Sequence, residues 1–327
     1  MIRALFGLGS EHAARPFDRK VARRLALPRL VRRGGAAASS LQPATPKIIC
    51  MVTVARSGTN HLGSTLSSIA ELDVRQEIFH KTRCQMMHAR ELAELARRCG
   101  RSFPPVCDSP ETVRAVRRRP DLVMDCLTDL MSPDKRLLYF KVFRLQLSVR
   151  QVRDAFIKRP DTIIIFLRRR PIDTFISLRK ALQVQNWYGG DTTKLKIDID
   201  ADDFIGWWGR TSAWFRGVEA ACRAADKRFY QLRYEDDIDV PMETTLERFR
   251  EILASHGVTD LSIARHGKRE DVKRQDRNKE LGDRVANWQE FQQRLKNKGF
   301  LEKAFSPFPA YEPTAWNRVR YRLASAF

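Results

Sequence analysis

Two short segments combine residue types that grip anions with a local pattern that would aim them. The first is Arg56-Ser57-Gly58-Thr59-Asn60, directly after the β-branched run Ile48–Val54. A strand, a short polar loop and a helix start, in that order, point backbone N–H groups and the positive helix end at a negative charge. Gly58 permits close backbone approach, Ser57 and Thr59 supply hydroxyl donors, and Arg56 supplies a fixed cation. The Gly-x-x-x-x-Gly-Lys pattern of a Walker A loop is absent, and Gly7-Leu8-Gly9 lacks the strand and third glycine of a dinucleotide fingerprint. Taken alone, the loop also fits an ordinary helix start. The second segment, Arg168-Arg169-Arg170-Pro171-Ile172-Asp173 through Ser177, follows the apolar run Thr162–Leu167. Three adjacent arginines repel one another unless an anion sits among them, and Ser177, two helical turns on, adds a hydroxyl.

The elements that must position these loops read as alternating strands and helices. Strands are expected at Ile48–Val54, Leu137–Phe143, Thr162–Leu167 and Arg228–Arg233. Helices are expected at Asn60–Glu71, Gln85–Cys99, Ser148–Lys158, Pro171–Leu182, Asp203–Ala225, Met242–His256 and Gly282–Lys296, with Pro110 and Pro171 as first-turn prolines. This alternation predicts an α/β fold with a central, mainly parallel sheet flanked by helices. In such sheets ligands collect at the carboxyl ends of the strands, where both arginine loops fall.

The chain has 327 residues, with 60 Lys and Arg against 39 Asp and Glu, a net charge of +21. That balance favours anionic partners. Residues 1–46 read as a basic, flexible extension and 47–327 as the folded domain. Ten Lys or Arg against two acids lie in the first 47 positions, and Gly34–Ser40 with Pro43 and Pro46 reads as a linker. The extension is compatible with a transit peptide, with peripheral contact to anionic lipid, or with an unstructured tail of no specific role. No apolar stretch approaches the ~20 residues that span a bilayer, and the expected location is cytoplasmic. The six cysteines are scattered, which argues for buried thiols rather than a zinc site or a disulfide framework.

Together the two loops resemble the sulfotransferases that use 3′-phosphoadenosine 5′-phosphosulfate (PAPS). The resemblance runs from about Ile48 to Phe305 and implies the P-loop-like sulfotransferase fold. It implies that Arg56, Ser57, Gly58, Thr59 and Asn60 hold the 5′-phosphosulfate, and that Arg169 and Ser177 hold the 3′-phosphate. Arg233-Tyr234-Glu235-Asp236 looks like the family's Tyr-Glu-Asp segment, with Tyr234 near the nucleotide or packed at a strand end. Lys273-Arg274-Gln275-Asp276 followed by Val285-Ala286-Asn287-Trp288 looks like the bacterial nodulation-factor branch, in which a basic segment closes over the nucleotide. That branch implies a carbohydrate or glycolipid acceptor.

Cytosolic members carry a histidine shortly after a Lys-Thr on a middle strand. Tyr139-Phe140-Lys141-Val142-Phe143-Arg144 has none, so their mechanism does not transfer directly. Gln76-Glu77-Ile78-Phe79-His80 lies where bacterial carbohydrate branches place a glutamate, making Glu77 the expected base and His80 the alternative. Arg56 would neutralise the leaving phosphate, and Lys141 would touch the sulfuryl group. No metal is expected, and the product would be 3′-phosphoadenosine 5′-phosphate (PAP). Trp187-Tyr188 reads as a loop able to stack on the acceptor, whereas Phe204, Trp207, Trp208 and Phe215 have the spacing of a core face. Two other readings stay open: the same fold acting on a small alcohol, and a basic nucleic-acid-binding module, although the arginine runs lack interleaved aromatic residues.

Overall fold

The computed structural model describes residues 48–187, 190–263 and 275–309. Five strands, β1 (Ile48–Thr53), β2 (Leu72–Val74), β3 (Leu137–Phe143), β4 (Thr162–Arg168) and β5 (Phe229–Arg233), form one sheet in the order β2-β3-β1-β4-β5. Every pairing is parallel, with Ile48 opposite Leu138 on one side and Thr162 on the other. From β1 the chain runs to the edge strand β2, returns to β3 beside β1, then crosses to β4 on the far side. The carboxyl end of β1 is therefore the switch point of the sheet, where a crevice opens between connections that diverge.

Strand periodicity sorts the core into two layers. Ile48, Cys50 and Val52 with Leu138, Phe140, Val142, Ile164 and Phe166 face one side. There they pack among α2 (Ala89–Cys99), α4 (Pro120–Asp129), α6 (Pro171–Val184) and α7 (Ala201–Ala224). Ile49, Met51, Tyr139, Ile163, Ile165 and Leu167 face the other side, against α1 (Thr59–Leu66) and α8 (Met242–Ala254). Phe204, Trp207 and Phe215 are buried on α7, as expected of a core face, whereas Trp208 is half-buried against the same core. Pro110 and Pro171 occupy the first turns of α3 (Pro110–Arg118) and α6.

Several boundaries differ from the sequence expectation. The helix expected over Asn60–Glu71 stops at Leu66, because the Ser67 and Ser68 hydroxyls bond back to the carbonyls of Gly63 (2.8 Å) and Thr65 (2.7 Å). The chain then re-enters the sheet as β2, whose three residues are too short to carry a period. Ser148–Lys158 divides into α5 (Val149–Val152) and a π-helical turn, Arg153–Ile157. Gly282–Lys296 divides into a 3-10 turn, Leu281–Asp283, and α9 (Trp288–Asn297), followed by α10 (Leu301–Phe305). The helices α3 and α4 (Pro120–Asp129) had no expected counterpart beyond the first-turn Pro110.

Candidate active site

The loop after β1 and the loop after β4 meet at the switch point. Arg56 Nε donates to Ser177 Oγ (3.0 Å) across 121 residues of sequence, and Arg169 Nη1 donates to the Arg56 carbonyl (2.9 Å). Gly58 caps α1 in the left-handed region (φ 84°), and a β-carbon there would lie 2.3 Å from the Tyr234 ring. Only glycine satisfies both the dihedral and the contact. Tyr234 in turn stacks on Arg169, whose guanidinium carbon lies 4.3 Å from the ring centre. Glu235 accepts from the Arg170 N–H (2.9 Å), tying the segment after β5 to the start of α6.

Arg56 has a left-handed backbone (φ 72°), a conformation that costs an L-residue on the order of 1–2 kcal/mol. Its guanidinium also bonds the Trp187 carbonyl (2.8 Å) and the Gln275 side chain. Burial, and then the nearby Arg169 charge, pull its pKa down to about 10. Neither Arg56 nor Arg169 forms an ion pair among the described residues. Ser57 Oγ, Arg169 Nε and Gln275 Nε2 are buried there without a hydrogen-bond partner. Buried donors and cations left unsatisfied in one cradle suit an anion, because each group otherwise bears its desolvation cost alone.

The middle strand brings a second cluster to the same end of the sheet. Lys141 is on the α1 side of β3 and 1% exposed, unlike the solvated lysine common at strand ends. Its Nζ donates to Asn60 Oδ1 (2.7 Å) and Thr59 Oγ1 (3.2 Å) and lies 3.8 Å from Glu77 Oε1. Burial lowers its pKa to about 8, against the opposing pull of Glu77. Glu77 Oε2 accepts from Gln146 Nε2 (2.8 Å), whose own Oε1 accepts from the Phe143 N–H (3.0 Å). Thr59 and Asn60, expected on the phosphate, thus hold Lys141 through their side chains. His80 bonds Thr82 within its own turn (Nδ1 to Oγ1, 3.1 Å), and it is Glu77 that meets Lys141. Trp187 is 45% exposed beside the Arg56 loop. Tyr188, Lys273, Arg274 and residues 1–46 lie outside the described residues.

A buried ion network that the sequence reading did not single out holds Gln275 in place. Asp173 on α6 pairs with Arg170 and Arg284, and Asp276 pairs with Arg284 (3.0 Å) and Lys180 (2.7 Å). The Gln275 carbonyl accepts from the Thr192 N–H (2.6 Å). The four charges of Asp173, Lys180, Asp276 and Arg284 are nearly solvent-free and derive from three stretches of chain, so only their meeting in space identifies them.

Fold and site together define an α/β protein with an anion cradle at the switch point of a parallel sheet. The model of the sulfotransferase family matches residues 46–259, well over half of the chain, and the chain belongs to that family; it is a sulfotransferase. The matched span contains both arginine loops, Glu77, Lys141 and Tyr234, and ends before Gln275. A search of curated proteins finds no match. Among solved structures, the chain is similar to the sulfotransferase domain of the Synechococcus PCC 7002 olefin synthase (13% identity, TM-score 0.34, 89% of this chain and 99% of that one). It is also similar to a sulfotransferase from Alicyclobacillus acidocaldarius (13%, 0.35, 84% and 100%) and to a retinol dehydratase in complex with androsterone and inactive cofactor PAP (13%, 0.34, 83% and 84%).

Proposed function

We propose that this sulfotransferase takes its sulfuryl group from PAPS and delivers it to a hydroxyl of a carbohydrate or glycolipid. The observation that carries the donor assignment is the meeting of the two arginine loops, with Ser57, Arg169 and Gln275 each keeping a buried polar atom unsatisfied. Arg169 and Ser177 would hold the 3′-phosphate, and the Arg56–Asn60 backbone with Ser57 the 5′ side. Lys273 and Arg274, beside Gln275, would complete the basic segment over the nucleotide. When bound, PAPS supplies the sulfuryl group and a phosphate leaving group.

Glu77 would accept the proton of the acceptor hydroxyl, with Gln146 fixing its carboxylate and His80 as the alternative base. Arg56 and the Lys141 ammonium would balance negative charge as it grows on the leaving oxygen. Positioning and charge stabilisation supply most of the catalysis in transfers of this type. The carbohydrate acceptor rests on the resemblance of Lys273–Asp276 and Val285–Trp288 to the nodulation-factor branch. The exposed Trp187, with Tyr188 beside it, offers a stacking face next to the donor loop.

Calorimetric titration with PAP, AMP and ATP tests the donor site. PAP is expected to bind at least tenfold tighter than AMP, and Arg169→Ala is expected to remove that preference. Equal binding of all three, or of none, sinks the reading. Glu77→Gln is expected to keep PAP affinity within twofold and lower turnover by about 10²–10⁴. Normal turnover in that variant would remove Glu77 as the base.

A further inference from the structure

Between Lys81–Thr82 and α3 lies a cleft of about 580 Å³ that the mechanism above does not use. Lys81, Arg114, Arg117 and Arg118 line it, with Asp108 as the single acid. Its volume falls in the range of about 300–1,000 Å³ usual for small-ligand sites. Two hydrogen-bonded paths join it to the reacting centre. Arg117 donates to the Gln146 carbonyl (2.9 Å), and the Gln146 side chain holds Glu77 (2.8 Å). Thr82, also in the lining, bonds His80 (3.1 Å), whose backbone N–H donates to the Glu77 carbonyl (3.1 Å).

The charges of the cleft are poorly compensated. Arg114 pairs with Glu111 (3.0 Å), but Lys81 and Arg118 have no ion-pair partner among the described residues. Nearby, Arg144 follows Lys141 by three positions and faces Arg210 of α7. Burial, and then the Arg210 charge, lower the Arg144 pKa. Neither arginine has a carboxylate partner among the described residues. Cations gathered without counter-ions destabilise one another until an anion arrives.

We infer that the acceptor is itself anionic, a carbohydrate whose carboxylate or phosphate substituent sits in the Lys81–Arg114–Arg117–Arg118 cleft while its hydroxyl faces Glu77. This rests on the reading of Glu77 as the base and names the acceptor class of the same site. The cleft then acts as a specificity element: neutral sugars reach Glu77 without the ion pairs that hold an acidic one in register.

The test is calorimetric titration of the PAP-saturated full-length protein with four probes: neutral tetra-N-acetylchitotetraose, tetragalacturonate, a mannose 6-phosphate disaccharide, and a single-stranded oligonucleotide. At least one of the two acidic sugars is expected to bind tenfold or more tighter than the neutral one, and the better of the two identifies the anion. A Lys81→Glu/Arg118→Glu double variant is expected to remove that advantage while PAP affinity stays within twofold. Both substitutions are at exposed positions, and the PAP titration reports whether the variant is folded. Equal affinity for neutral and acidic sugars, no binding of either, an unaffected double variant, or tighter binding of the oligonucleotide than of any sugar overturns the inference. Failure of PAP itself to bind overturns the donor reading instead. The acidic probes, titrated into the protein alone, then still decide the cleft.

Discussion

Lys141 carries its ammonium in a nearly solvent-free position, and that burial has a consequence for pH. Removal from water lowers its pKa to about 8, although Glu77 at 3.8 Å favours the charged form. The cation that Asn60, Thr59 and Glu77 hold is therefore present below pH 8 and lost above it. Turnover is expected to fall on the alkaline side with a midpoint near 8, and Lys141→Met should remove that limb along with a large part of the rate. A pH profile of kcat for the two proteins checks this. Stability moves the opposite way. An unfolded lysine titrates near 10.5, so between pH 8 and 10.5 the unfolded chain binds the extra proton and stability rises with pH, by at most about 3 kcal/mol. Urea midpoints across that window should rise in the wild type relative to Lys141→Met. The identity of Lys141 was legible in the sequence, but its burial was not, because a strand of seven residues does not disclose which end meets a covering helix.

At the scale of elements, α6 links the donor loop to the C-terminal segment. Its first turn offers Asp173, its third turn Lys180, and both reach the chain around residues 276–284. Arg284 bridges Asp173 and Asp276 while only 5% exposed. Removing one member of such a network leaves the others buried without compensation, which costs about 3–5 kcal/mol. Arg284→Met is accordingly expected to lower the unfolding free energy, read from urea titration, by an amount of that order. It should also weaken PAP binding by about tenfold or more through the displaced Gln275, while Arg284→Lys should restore part of both. Stability lost with PAP affinity unchanged would show that the network does not position Gln275. The strands and the helix after each arginine loop were readable because apolar runs and first-turn prolines are local signals. Strand β2 and the helix pair α3–α4 were not, since three residues cannot show a period and the arginine-rich 110–119 stretch masks a short apolar stripe.

For the whole molecule, the charge of +21 is unevenly placed, with ten Lys or Arg against two acids in the first 47 residues. None of the helices described is long and apolar enough to cross a membrane. The sequence expectation of a separate basic arm leads to a prediction about surfaces. The full chain should sediment with vesicles containing phosphatidylglycerol and not with pure phosphatidylcholine. That binding should disappear at about 0.5 M salt, where screening shortens to a few ångströms, and it should fail when residues 1–46 are removed. Binding that survives the truncation would assign the contact to the folded part.

The sequence by itself determined the α/β alternation, the two arginine loops and the strand ends on which they sit. These depend on apolar runs, prolines and residue types within a few positions of one another. Which groups face each other emerges from the three-dimensional fold. It brought Arg56 to Ser177 across 121 residues, set Lys141 rather than His80 against Glu77, and gathered Asp173, Lys180, Asp276 and Arg284 into one buried network. It also opened a basic cleft between Lys81 and α3. The first of these follows from the crossover at β1, which folds distant strand ends into one crevice, and no local pattern records which loops a crossover or a long-range contact will join.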